Sequence, residues 1–283
     1  MNEAPVGITD PGVLALVRAH WDPAVDRVEH LPVGFGAWHW RASAAGTPRL
    51  FVTYDLPKPG RHTAETLETA YAGAAALHQA GLEFVVPPLP ASDGRFTVPA
   101  GAGVLSATTW VVGERPAVAD GVRPLLERLH AKTPPAPIAP WRPLVGPHFS
   151  EELAERIFVP WNHGPFGERA RDAIRTALPE ITRWTETYRR LGAAEDPDTW
   201  VTTHGEPHEH NQLLTGTGIV LVDWESLKLA PADRDVRAPG GLFDLEWRLD
   251  EIDQYATWFA GPHGVTEDDR EAIAGLEAEL TRK

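Results

Sequence analysis

The sequence predicts a two-lobed α+β fold. A small antiparallel β-sheet lobe with one helix is expected over residues 1–112, and a larger, mainly helical lobe over residues 113–283. Three observations carry that expectation. The first third holds short β-forming segments separated by glycine-containing turns. Beyond Gly113, apolar residues recur at helical spacing. Among the helical segments lies one aliphatic run, Ile219-Val220-Leu221-Val222, which stops abruptly at Asp223-Trp224-Glu225, the pattern of a buried strand with a polar end.

Taken in order, residues 28–34, 37–42 and 50–54 read as strands, with turns at Gly34-Phe35-Gly36 and Ala45-Gly46-Thr47-Pro48. Alternation in the third strand puts Leu50, Val52 and Tyr54 on one face and Phe51, Thr53 and Asp55 on the other. A helix over 63–79 follows from the spacing of Leu67, Ala70, Tyr71, Ala74 and Leu77. Glu65 and Glu68 suit its positive end and Gly81 its stop. Residues 95–98 and 104–112 read as two more strands. Gly113-Glu114-Arg115-Pro116 then joins the two lobes. Val122, Leu125, Leu126 and Leu129 mark a helix, and the six prolines of 133–147 mark a loop. Two further helices are carried by Ile181, Trp184, Tyr188 and Leu191, and by Leu245, Leu249, Ile252, Tyr255 and Phe259.

Composition narrows the function. The chain has 283 residues, 42% of them apolar and 23% charged, as in ordinary globular proteins. A net charge of -14 repels nucleic acid phosphates and attracts cations, so a nucleic acid partner is not expected. Without cysteine there is no disulfide framework, thiolate metal site or cysteine nucleophile. No apolar run approaches the ~18 residues of a membrane span, and residues 1–10 lack a secretion signal pattern. A cytoplasmic protein with no membrane association is expected.

Chemistry concentrates in His204-Gly205-Glu206-Pro207-His208-Glu209-His210-Asn211 and in Asp223-Trp224-Glu225. The turn Thr215-Gly216-Thr217-Gly218 joins the two segments. Glu206 supplies a carboxylate, Asn211 a side-chain carbonyl and Asp223 a second carboxylate. Glu225 adds a third, a candidate contact to substrate. Hard oxygen donors of this kind suit Mg²⁺, which shares its shell with phosphates. Phosphoryl transfer needs such metal ligands and one carboxylate to orient the attacking hydroxyl. The histidines allow a second reading, a zinc site of His204, His208 and His210 with Glu206. A cupin-like pattern would place a glutamate shortly after His210, where Leu214 and Thr215 stand.

The spacing of His204-Gly205-Glu206 to Asn211, with Asp223-Trp224-Glu225 beyond, resembles the aminoglycoside phosphotransferase family. These are relatives of choline kinase and protein kinases, and the chain is most similar to the actinobacterial and spectinomycin-type enzymes. Pro231-Ala232-Asp233-Arg234-Asp235 resembles the family's continuation. The resemblance implies a protein-kinase-like fold and a phosphotransferase using ATP or GTP with Mg²⁺. By it, Glu206 stands for the catalytic aspartate, Asn211 and Asp223 are metal ligands, and His204 braces the loop. Gly34, Gly36 and Thr53 are the nucleotide-binding residues, with Gly34 and Gly36 over the phosphates. The implied acceptor is a small cationic, hydroxyl-bearing molecule such as an aminoglycoside, an aminocyclitol or a basic peptide antibiotic, or else a primary metabolite. The nine acids and two arginines of residues 244–271 read either as an acidic wall for that acceptor or as the solvated face of a helix.

Two departures from the family pattern stand out. Glu206 replaces aspartate, and its extra methylene moves the carboxylate by more than about 1 Å unless the loop adjusts. Thr53 stands where the third strand usually carries a phosphate-pairing lysine. Lys58 lies nearby, in a loop between Pro57 and Pro59. These departures motivate the alternative of a catalytically inactive kinase-like protein that binds a small molecule or partner.

Overall fold

A computed structural model describes the chain from Met1 to Arg282 apart from Val6, Phe35, residues 58–61 and residues 117–118. Lys58 and the middle of the Gly34-Phe35-Gly36 turn thus lie outside the described residues. The chain forms two compact units, Met1–Trp141 with Asp198–Asp235, and Arg142–Pro197 with Val236–Lys283.

The first unit opens with helix α1 (Asp10–His20), which the sequence periodicity does not reveal. Its start is set locally. Thr9 accepts a hydrogen bond from the Gly12 N–H at 3.3 Å, Pro11 occupies the first turn, and Asp10 complements the helix dipole. Strands β1 (Arg27–Leu31), β2 (Trp38–Ala44) and β3 (Thr47–Asp55) follow, then α2 (Ala64–Gln79), β4 (Val98–Ala100) and β5 (Gly103–Thr109). The strands form one antiparallel five-stranded sheet in the order β1-β2-β3-β5-β4. Leu50, Val52 and Tyr54 bury with Trp40, Leu105 and the α1 valines Val13 and Val17, while Phe51 and Thr53 on the opposite face are half-buried. The alternation expected for β3 is present.

Helix α2 begins at a reciprocal Thr63–Thr66 cap and buries the expected Leu67, Ala70, Tyr71, Ala74 and Leu77. Strand β4 lies later than the expected 95–98. The Phe96 and Thr97 N–H groups donate instead to the Glu68 carboxylate, at 2.8 and 3.1 Å. Helix α3 (Arg123–His130) packs Leu126 and Leu129 with Ala74 and Leu77 of α2 and with Leu221, Trp224 and Leu227.

The motif-bearing segment also belongs to this unit. Strand β6 (Val201–Thr203) pairs with β9 (Lys228–Ala230), and β7 (Gln212–Thr215) forms a hairpin with β8 (Gly218–Leu221). The segment after β5 joins that hairpin. The Glu114 N–H donates to the Leu214 carbonyl at 3.0 Å, and the Leu214 N–H returns the bond at 2.7 Å. The proline-rich segment 133–147 has no regular helix or long strand, as expected, although backbone bonds at Ala139 and Trp141 tie it to Leu229 of β9.

The second unit is helical, with α4 (Phe149–Arg156), α5 (Gly167–Gly192), α6 (Leu242–Ala260) and α7 (Glu267–Thr281). The acids of 244–271 prove partly structural. Asp244, Glu246, Asp250, Asp268 and Asp269 are buried. Glu246 accepts from the Tyr188 hydroxyl and from the Leu144 N–H, and Asp269 caps α7 through Thr266. Among the described residues, no helix is long and apolar enough to cross a membrane.

The β2–β3 hairpin turns on Ala45 and Gly46, with φ of 49° and 77°. Left-handed backbone at both positions defines the turn type that favours Asn-Gly. Alanine is strained there, although its N–H is held by Asp26 at 2.8 Å. Ala45→Asn is expected to stabilise the protein by about 0.5–1 kcal/mol, read as a higher urea midpoint at unchanged slope.

Candidate active site

The site is built around the turn after β6. Gly205 has a φ of 96°, and a Cβ there would stand 2.4 Å from Arg234 Nη1. Glycine is required by backbone conformation and by space. The His204 and Gly205 N–H groups donate to the two oxygens of Asp235, at 3.1 and 2.6 Å, and His130 Nε2 lies 2.8 Å from the same carboxylate. Arg234 donates to Thr203 Oγ1 at 3.0 Å and to the Ser226 carbonyl at 2.8 Å. Burial alone would raise the Asp235 carboxyl. The His130 contact, the Gly205 N–H and Arg234 outweigh it and hold it below the usual range.

His204 is fully buried, its ring 4.4 Å from that of Trp224. Its Nδ1 accepts from the Glu206 N–H at 3.2 Å, so Nε2 carries the proton and donates to the Val222 carbonyl at 2.9 Å. Burial keeps the imidazole below its ordinary pKa, against the pull of Asp235 and Glu206. The ring thus spans from the Glu206 amide to the Val222 carbonyl. With both ring nitrogens engaged it has none left for zinc. Among the described residues, no group of three or more His, Asp or Glu side chains is placed to hold a metal ion.

Glu206 Oε1 accepts from the Ser226 hydroxyl at 3.0 Å, and Oε2 lies 3.9 Å from His208 Nε2. Asn211 donates from Nδ2 to the Glu206 carbonyl at 3.0 Å. That bond fixes the amide's orientation and leaves Oδ1 as the end a cation would meet. The Asn211 carbonyl in turn accepts from the Val222 N–H at 3.0 Å, extending the β7–β8 register to the residue before Asp223. Asp223 has a φ of 65°, in the left-handed region, and its carboxylate makes no hydrogen bond or ion pair with a described residue. Its side chain is exposed but stands amid dense protein. That desolvation first, then the charges of Glu225 and Glu206, pushes its carboxyl well above the usual range, with His208 opposing. Glu225 Oε1 lies 3.5 Å from His62 Nε2. Tyr71 of α2 is raised by burial and then by Asp55, Glu225 and Asp223, so the end of β3 and the Asp223 segment act on one phenol.

Glu206, Asn211, Asp223 and Glu225 therefore gather at the open end of the β7–β8 hairpin. Gly34, Gly36 and Thr53 lie in the sheet region, with Gly34 and Gly36 at φ of 73° and 91°. A Cβ at Gly34 would stand 2.9 Å from His39 Nε2, and His39 Nδ1 lies 3.2 Å from Thr53 Oγ1. His39 thus faces the position where a lysine is usual. Its pKa falls to about 4 through burial first, then through the positive amino group of Met1 and His30, so it supplies no charge at neutral pH. The glutamate available to such a lysine, Glu68, is held by Phe96 and Thr97. Sequence reasoning missed Ser226 and His39. A buried serine beside Asp223-Trp224-Glu225 was the available signal for the first. Cross-strand pairing of positions 39 and 53 was the signal for the second.

No protein-family model matches the chain. The Streptomyces griseus protein StrN is 28% identical over 290 residues, spanning 88% of this chain and 84% of its own. A spectinomycin phosphotransferase solved with ADP and spectinomycin superposes with a TM-score of 0.73 at 14% identity, covering 95% of this chain and 94% of that one. An amicoumacin kinase solved with AMP-PNP and Ca²⁺ has a TM-score of 0.53 at 10% identity, covering 90% and 88%. The chain has the kinase-like fold of these phosphotransferases, which is the fold implied by its resemblance to the aminoglycoside phosphotransferase family.

Two measurements check this arrangement. Gly205→Ala is expected to destabilise the protein by about 3 kcal/mol, through a strained φ and overlap with Arg234, read by urea denaturation. His39 has its folded pKa below the unfolded value of about 6.5, so the unfolded chain binds the extra proton between the two. Its contribution is full above pH 6.5 and is lost as pH falls toward 4. The urea midpoint should decline over that window, and His39→Gln should flatten part of the decline.

Proposed function

We propose that the chain is a member of the aminoglycoside phosphotransferase family that moves the γ-phosphate of ATP or GTP to a hydroxyl of a small cationic molecule. The observation that carries this reading is the gathering of Glu206, Asn211 and Asp223 at one hairpin end with the family's spacing. On it, residues 1–112 bind the nucleotide, and residues 113–283 bear the catalytic loop and the acceptor contacts.

The donor set fits Mg²⁺. Asn211 Oδ1 and the Asp223 carboxylate are hard oxygens, and one or two such protein ligands are usual when phosphates supply the rest. Asp223, otherwise unpartnered and crowded by Glu225 and Glu206, would gain a neutralising cation. When bound, the ion would screen the phosphate oxygens as charge builds on them. Glu206 would receive or steer the acceptor hydroxyl's proton, while the Ser226 hydroxyl holds Oε1 and takes up the longer side chain's freedom. Ser226→Ala should lower turnover with little change in nucleotide affinity.

The missing lysine leaves no orphan. Thr53 is met by His39 and Glu68 by Phe96 and Thr97. The acceptor class is proposed from the net charge of -14 and from the antibiotic substrates in the names of the structural neighbours.

Calorimetric titration with ATP and with GTP, each with and without Mg²⁺, tests the reading. Metal-dependent binding is expected for one of them, with loss of that dependence and of all transfer in Asp223→Asn. Transfer retained in Asp223→Asn would sink the metal assignment, and no nucleotide binding would leave the inactive alternative.

A further inference from the structure

The second unit holds a cavity of about 370 Å³ lined by Trp184 and Thr187 of α5, by Pro239, and by Asp244, Leu245 and Arg248 of α6. Arg248 is only 6% exposed, and its guanidinium lies 4.5 Å from the Trp184 ring. Despite that burial it makes no hydrogen bond to a described residue. The nearest acid oxygen, Glu279 Oε2, is 3.9 Å from Nε, beyond hydrogen-bond reach. Nε is sealed from solvent, and Arg248 lines the cavity.

The surrounding charges are committed to one another. Asp244 Oδ2 accepts from the Gly240 N–H at 2.9 Å, and Oδ1 pairs with Arg282 at 2.9 Å. Arg282 also pairs with Glu279 at 3.0 Å. A buried guanidinium is normally satisfied by carboxylates or carbonyls, because desolvating five donors without acceptors is costly. Its planar fork matches a carboxylate edge to edge. Of the remaining walls, Trp184, Pro239 and Leu245 are apolar or aromatic, and Thr187 and Gly240 complete the lining.

We propose that this cavity binds a small organic acid, with its carboxylate on the terminal nitrogens of Arg248 and its apolar body against Trp184, Pro239 and Leu245. A monoanion matches the one guanidinium that lines the cavity. A dianionic phosphate would leave excess negative charge beside Asp244 and gain nothing from the apolar walls. The site lies wholly in the second unit and is independent of the phosphotransferase reading.

The test uses the full chain, with benzoate and 3-phenylpropionate as probes, benzamide as the uncharged control and inorganic phosphate as the apolar-free anion. Calorimetry and thermal shift should show binding of at least one carboxylate and none of benzamide. Arg248→Met removes a buried guanidinium that lacks hydrogen bonds and keeps an apolar side chain against Trp184, so it should fold with little loss in urea midpoint while carboxylate affinity falls by about tenfold or more. Arg248→Lys, which keeps the charge and loses the fork, should weaken binding too and serves if the methionine variant does not fold. Equal carboxylate binding in wild type and both variants, no binding of either carboxylate at millimolar concentration, or preferential binding of phosphate would overturn the proposal.

Discussion

One buried carboxylate organises the motif-bearing segment. Asp235 receives the backbone N–H groups of His204 and Gly205 and the His130 contact from α3. Two consecutive amides pointing at one side chain force the chain to turn after β6, and the turn is open only to glycine at 205. Arg234, the neighbour of Asp235, closes the arrangement by filling the space a Cβ at 205 would occupy and by reaching the Ser226 carbonyl. The Pro-x-x-Arg-Asp pattern thus works as the foundation of the loop that precedes it in sequence. Without Asp235, the amides of 204 and 205 would be buried donors lacking an acceptor, a cost of about 1–3 kcal/mol for each.

The site set on this foundation is held under two kinds of tension. Asp223 adopts left-handed backbone that a non-glycine residue accepts at some cost. Its carboxylate also stands unpaired among like charges. Both are features a protein keeps where function requires them. His204 adds rigidity without charge, since its imidazole is neutral and spans from the Glu206 amide to the Val222 carbonyl. The loop bearing Glu206 and the strand end bearing Asp223 are therefore fixed to each other by one ring.

Much of this was legible in the sequence, and what was missed shares a physical character. The strand alternation around Leu50, Val52 and Tyr54, the α2 periodicity and the proline-rich loop all follow from local rules, and the structure follows them. The gathering of Glu206, Asn211 and Asp223 was readable because spacing along a short hairpin fixes distance. Helix α1 escaped because its apolar stripe is thin, with two buried valines carrying it. Strand β4 was displaced because a side chain, Glu68, competes for the amides that would have extended it. His39 opposite Thr53 and Ser226 beneath Glu206 depend on contacts between residues distant in sequence, which no periodicity encodes. The acids of 244–271 look alike in the sequence, yet some are exposed and others serve as buried acceptors for Tyr188, Thr266 and Arg282.

The pairing of Glu114 with Leu214 has a further consequence. Because each residue donates to the other, the connector after β5 is spliced into the hairpin that carries Asn211 and Asp223. Gly113 fits so closely beside Leu214 that a Cβ would stand 2.9 Å from its carbonyl oxygen. A surface connector ordinarily tolerates changes of length. Here an added or deleted residue between β5 and Glu114 would slide one ladder against the other and leave the splice out of step. The length of this connector is consequently a property of the site it abuts, inherited with the chemistry and not free to drift as other surface segments are.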